Sequence, residues 1–130
     1  LALAMARVAD PSGLAPSRRA AIERIRRAMT REPFMVAGTG RFCTRVMSKL
    51  GDAVVLKTGA EGVYMAAIPG LGLGICLKIA DGAARASQIA LAAVMERLGI
   101  SGAAELATAP LSNVAGLPVG EIRPAGELPF

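Results

Sequence analysis

Histidine is absent from the 130 residues, which removes imidazole as a general base, a proton shuttle or a metal ligand within this chain. Tryptophan is absent too. The only aromatic side chains are Phe34, Phe42, Phe130 and Tyr64, so a surface built to stack bases has almost nothing to stack with. The two cysteines, Cys43 and Cys76, form no CxxC, and neither a disulfide scaffold nor a complete cysteine zinc site fits their number. Both read as buried small hydrophobes. The longest apolar run, Val63 to Ala80, is broken by a proline, glycines and a lysine, which argues against a membrane helix. No secretory signal is visible, and a cytoplasmic location is expected.

What is present describes a folding chain. Hydrophobic residues make up 53% and charged ones 19%, unlike an intrinsically disordered sequence. A chain of this mass has room for one domain, with a folded surface of roughly 6,400 Å². The +5 formal charge is unevenly spread: residues 1–49 carry ten basic and three acidic side chains, and the remainder five and seven. The excess therefore belongs to the N-terminal third. Nucleic-acid binding is one reading of such a segment. A solvated arginine face, or one turned toward an acidic segment, is the simpler reading, and neither a nucleic-acid nor a membrane partner is expected.

Periodicity divides the chain. Leu1 to Val8 reads as a helix too short to stand alone, followed by the turn-rich Asp10-Pro11-Ser12-Gly13. Ser17 is the expected cap of a helix running to about Met29, with Ile22, Ile25 and Met29 as its apolar stripe. Glu23 stands four residues before Arg27, a supporting ion-pair spacing. Phe42 to Leu50 reads as another helix, stopped by Gly51. Strands are expected over 53–57, 62–68 and 73–79, joined by connections too short for parallel crossovers, hence an antiparallel meander. A helix over 83–98, carrying Leu91, Val94, Met95 and Leu98, is expected on the face formed by Leu73, Ile75, Leu77 and Ile79. Ala84, Ser87 and Ala92 would let it approach closely. A short helical turn over 102–107, an irregular strand over 114–122 and a loop over 124–130 complete an α+β order: an antiparallel sheet with packed helices.

The chemistry-bearing segment is VVLKTGAEGVY. Lys57 ends an apolar strand and precedes a turn in which Gly59 and Gly62 permit close backbone approach. A lysine so placed is expected to lose solvation and become useful for proton transfer or for stabilising an alkoxide. Thr58 offers a hydroxyl, and Glu61 a carboxylate for a ligand ammonium or for the lysine itself. Gly70, Gly72 and Gly74 feed a strand instead of a helix and make a poor nucleotide loop. Gly38, Thr39, Gly40 and Arg41 precede a helix without a Walker lysine. They read as a structural turn or as a cradle for a carboxylate.

The strings VAGTGRFCT, VVLKTGAEGVYMAAIPGLGLGICLKIADGAARA and LAAVMERLG, in that order, closely resemble the C-terminal portion of the bacterial L-asparaginase II family of the Rhizobium etli type, over about residues 28–124. The resemblance implies a serine β-lactamase-like fold, of which this chain would be a partial β-lactamase/glutaminase-like domain. It also implies hydrolysis of L-asparagine to L-aspartate and ammonia by a serine activated by lysine. By that resemblance Lys57 is the second catalytic lysine, and Gly59, Ala60 and Glu61, with Thr58, border the substrate. Gly40 and Arg41 match a GxGR element, with Arg41 also at the substrate, while Lys78, Asp81 and Gly82 match a KxxDG turn. KTG on a strand is likewise a motif of serine acyl enzymes.

The family's Ser-x-x-Lys nucleophile, second serine and Cys-x-x-Lys zinc element all belong to its N-terminal portion. No serine or threonine here has lysine three positions later. The expectation is accordingly half an active site: residues 1–130 form a single domain or a C-terminal fragment of a larger serine amidohydrolase, inactive alone. The remainder would come from a missing N-terminal portion or a complementary chain, with a homodimer also admitted. This chain is expected to hold no metal or cofactor, zinc belonging to the complete protein. Two other functions compete: a non-enzymatic interaction domain with an arginine-rich helical face, and a β-lactamase-like acyl hydrolase.

Overall fold

Alternating apolar residues and tight turns dictate a meander, and the computed structural model, which describes residues 1–126, contains it. Strands β1 (Val55–Thr58), β2 (Val63–Ile68) and β3 (Leu73–Lys78) pair antiparallel in the order β1-β2-β3. Thr58 stands opposite Tyr64 and Tyr64 opposite Leu77, while Leu56, Ala66 and Ile75 make the next row on that face. The expected spans shift by one or two residues. Ala53 closes a 3-10 turn, Gly51–Ala53, and β3 ends at Lys78, the Ile79 amide extending the same register by one bond to the Gly62 carbonyl at 3.1 Å.

Two faces of the sheet are covered by different helices. Leu56, Tyr64, Ala66 and Ile68, with the half-buried Ile75 and Leu77, meet Leu91, Ala92 and Met95 of α5 (Ala84–Arg97) and Phe42, Cys43, Val46 and Met47 of α4 (Phe42–Leu50). Helix α5 thus packs on the expected face. Fully burying each of the larger side chains there is worth about 1.5–3 kcal/mol. The buried part of α5 is broader than the expected stripe, taking in Ser87, Ile89 and Ala93, whereas Ala84 is exposed at the first turn and Val94 and Leu98 are only half-buried. On the opposite face Val55 and Ala67 meet Met5, Val8 and Ala9 of α1 (Ala2–Ala9) and Met29 of α2 (Pro16–Arg31). Gly74 lets α1 lie against the strand, since a Cβ there would sit 2.1 Å from the Ala6 amide nitrogen and 2.2 Å from the Ala2 carbonyl oxygen.

Several sequence expectations change in α2. Pro16, not a Ser17 cap, starts the helix, because proline's fixed φ suits the first helical position; Ala15 holds the cap without a side-chain bond. Ile25 is 56% exposed, so the stripe is not fully covered. The helix turns Arg26 inward instead, and its guanidinium donates to the Val8 and Ala9 carbonyls at 3.3 and 3.0 Å, satisfying the end of α1. The Glu23–Arg27 spacing makes no ion pair: Arg27 donates to the Glu23 backbone carbonyl at 3.3 Å. A further short helix, α3 (Pro33–Ala37), leads to the glycine loop before α4.

At the other end, a 3-10 turn over Ala104–Leu106 stands where a helical turn was expected. The single irregular strand expected over 114–122 is instead a hairpin, β4 (Ala109–Ser112) paired antiparallel with β5 (Pro118–Ile122). Asn113 explains it: its carboxamide oxygen accepts the Leu117 amide at 3.0 Å and its backbone amide donates to the Leu117 carbonyl, which closes the turn. Only the beginning of the expected 124–130 loop is described, and Phe130 lies outside the described residues. The architecture is α+β. It exposes 7819 Å², about a fifth more than the roughly 6,400 Å² of a compact chain of this mass.

Candidate functional site

The end of β1 and the turn into β2 carry the KTGAEG segment. The Gly59 amide donates to the Val63 carbonyl at 2.8 Å and the Val63 amide to Ala60 at 3.1 Å, so the turn is closed by its own backbone. Glu61 adopts φ +56°, a left-handed conformation that disfavours side chains with a Cβ. Its neighbour Gly62 (φ +70°) has no room for a Cβ, which would lie 2.9 Å from Ile79 Cβ and 3.0 Å from the Gly82 carbonyl carbon. A Cβ at Gly82 would in turn lie 3.0 Å from Glu61 Oε2. The KTGAEG turn therefore rests directly on the turn that follows β3.

That second turn is held by its own polar side chains. Asp81 accepts the Ala83 amide at 2.8 Å and pairs with Arg85 at 2.9 Å, while Lys78 donates to the Ile79 carbonyl at 2.7 Å. Lys78, Asp81 and Gly82 thus build the entry to α5 and support Glu61 from below.

Strand alternation places Lys57 and Thr58 on opposite faces. Lys57 is exposed, in contrast to the desolvated lysine expected at a strand end, and its ammonium donates to the Thr58 carbonyl at 3.0 Å. No Lys57–Glu61 ion pair forms among the described residues. Thr58 is half-buried, with its hydroxyl donating to the Gly59 carbonyl at 3.2 Å. Gly59, Ala60 and Glu61 are exposed along the turn.

On the Thr58 side a second group appears that sequence reading left in the core. Cys43 is buried as expected, but its Sγ lies 3.0 Å from the Tyr64 hydroxyl, and Phe42 meets the Tyr64 ring edge-on at 5.7 Å. Burial, then the Cys43 contact, push the Tyr64 phenol well above the ordinary tyrosine range, while the Arg41 charge and the Thr58 side chain act weakly in the other direction. Arg41, exposed at the start of α4, is thereby brought to the same end of the sheet as Thr58. The signal was available: a tyrosine on the apolar face of a strand needs a partner for its hydroxyl. Cys76 is half-buried on the opposite face, in the row of Lys57 and Met65.

Among the described residues no three histidine, cysteine, aspartate or glutamate side chains are placed to hold a metal. Cys43 is engaged by Tyr64 and Cys76 lies across the sheet, so these residues do not by themselves fit the zinc that the resemblance associates with the complete protein. Among the described residues no helix is long and apolar enough to cross a membrane.

Fold and site together define an α+β domain with a lysine-ended edge strand and a glycine-locked turn. The chain belongs to the L-asparaginase II family, whose model matches residues 1–124. That match includes α1 and the greater part of α2, which the motif resemblance left out. Membership supports asparagine hydrolysis in general, an amidohydrolase activity with asparagine as substrate. No curated protein matches the chain.

Proposed function

We propose that this chain supplies the strand-and-turn half of a serine–lysine amidohydrolase site, with Lys57 as a catalytic group and Thr58, Gly59, Ala60, Glu61 and Arg41 bordering the asparagine. The observation that carries the reading is the Glu61 turn: a non-glycine residue held at positive φ and locked by Gly62 and Gly82 beside an exposed strand-end ammonium. Strain maintained by surrounding structure is common at functional sites. The serine nucleophile and its Ser-x-x-Lys base come from sequence outside these 130 residues, in a β-lactamase-like domain completed by that portion or by a complementary chain. The large exposed surface accords with a portion still to be covered.

In this reading the serine oxygen attacks the side-chain amide carbon as lysine takes its proton. The tetrahedral intermediate then expels ammonia, with a proton delivered to the leaving nitrogen. Water cleaves the resulting ester and regenerates the serine, so asparagine and water become aspartate and ammonia. Lys57, as an ammonium, stabilises negative charge on the intermediate or relays a proton through the second serine. Any zinc belongs to the complete protein.

The test is kcat/KM for asparagine in the complete protein. Lys57→Ala is expected to lose about 10²–10⁴-fold, the range for an acid–base group, while folded Lys78→Ala loses far less. The 130-residue chain alone is expected to release no ammonia. Near-parental activity in folded Lys57→Ala would overturn the assignment. A second reading, a non-enzymatic interaction domain, rests on a groove of about 310 Å³ on α2 lined by Arg24, Arg27, Ala28 and Arg31. Salt-sensitive binding of an acidic peptide by the chain, lost on replacing Arg24 and Arg31, would favour it.

A further inference from the structure

We infer that the Cys43 thiol and the Tyr64 phenol form a buried positioning pair that fixes the start of α4 against the end of β1, and so holds Arg41 and Thr58 at a set separation around the substrate. The inference rests on the amidohydrolase reading and adds two residues to that site. Arg41 and Thr58 belong to different elements, and no hydrogen bond runs between them among the described residues. What spans the gap is Tyr64. The β1–β2 register sets it opposite Thr58, and its hydroxyl reaches across to Cys43, two residues beyond Arg41.

The hydroxyl is not needed to fill space. Phenylalanine would keep the ring, its edge-on contact with Phe42 and its burial, and would spare the cost of drying a phenol oxygen. Tyr64 is 2% exposed and Cys43 1% exposed, so water does not share in the bond. A thiol is a weak hydrogen-bonding partner, which makes the pair a poor source of stability. Its geometric effect is larger than its energetic one: it ties one element carrying a substrate-bordering cation to another carrying a substrate-bordering hydroxyl. Small errors in such placement cost catalysis heavily.

The experiment compares Tyr64→Phe, Cys43→Ala, Cys43→Ser and the double variant Cys43→Ala/Tyr64→Phe in the complete protein, with Lys57→Ala beside them. Folding is checked by circular dichroism. Folded Tyr64→Phe and Cys43→Ala are each expected to lose about tenfold in kcat/KM, as supporting groups around a site do, mostly as a rise in KM. The double variant should lose no more than either single one, because both remove the same link. Cys43→Ser, which keeps a hydrogen-bonding group, should recover most of the loss. Parental kinetics in both single variants, additive losses in the double variant, or a Cys43→Ser protein as impaired as Cys43→Ala would overturn the inference. A Tyr64→Phe protein that fails to fold would do so as well, by assigning the hydroxyl to the core. If Lys57→Ala is inactive while the pair variants are parental, only this inference fails. If Lys57→Ala keeps its activity, the underlying reading fails.

Discussion

The Ile79 amide donates to the Gly62 carbonyl at 3.1 Å, and the two residues are so close that Gly62 has no space for a side chain. This contact couples the turn bearing Glu61 to the turn that opens α5. Gly62→Ala would combine a left-handed backbone penalty with a clash against Ile79 and the Gly82 backbone, and is expected to destabilise the protein by about 3 kcal/mol. Denaturant unfolding measures it. An unchanged midpoint would show that the two turns can separate freely.

Glu61 presents the opposite case, a side chain where the backbone favours glycine. Glu61→Gly is expected to keep or raise stability, by up to about 1 kcal/mol, because the φ +56° conformation is then unstrained. Asparagine affinity should fall at the same time. The pairing of higher stability with weaker binding is the outcome to look for, and a destabilised Glu61→Gly protein would refute the strain argument.

Gly74 lies beneath α1, and the atoms nearest a Cβ there would be backbone atoms of Ala2, Met5 and Ala6. Gly74→Ala is expected to lift α1 off the sheet at a cost of about 3 kcal/mol. Hydrogen exchange should then show protection lost over Ala2–Ala9 while α5, on the other face, keeps its own. Uniform loss across the whole chain would argue against a separately docked helix.

Tyr64 makes stability sensitive to alkali. Burial and the Cys43 contact raise the phenol in the folded state, so its contribution is complete below the unfolded value of about 10 and is lost as pH rises toward the folded one. Unfolding midpoints should fall above about pH 10 in the parent, and less in Tyr64→Phe. As the chain's only tyrosine, Tyr64 can be followed by its ionisation absorbance in the 130-residue chain. Ionisation near pH 10 without loss of structure would contradict a buried phenol.

Much of this protein follows from local pattern. The three-strand meander, the face that receives α5, and the helices around Met29, Val46 and Leu91 were legible because period-2 and period-3.6 spacing record which side of each element must leave water. The KTGAEG and KIADG motifs were legible as strings, and the family was recognisable from their order. Tertiary structure decided the rest. Arg26 turns inward because the carbonyls ending α1, seventeen and eighteen residues earlier, need a donor. Lys57 remains in water because strand alternation turns it to the α1 face one row beyond Val55, Ala67 and Gly74, where α1 docks, and its ammonium donates to the Thr58 carbonyl. Cys43 meets Tyr64 across 21 residues of sequence through the packing of α4 on the sheet, a distance that no spacing rule spans. Periodicity reports the environment that each residue needs; which distant residue supplies it depends on how the elements dock.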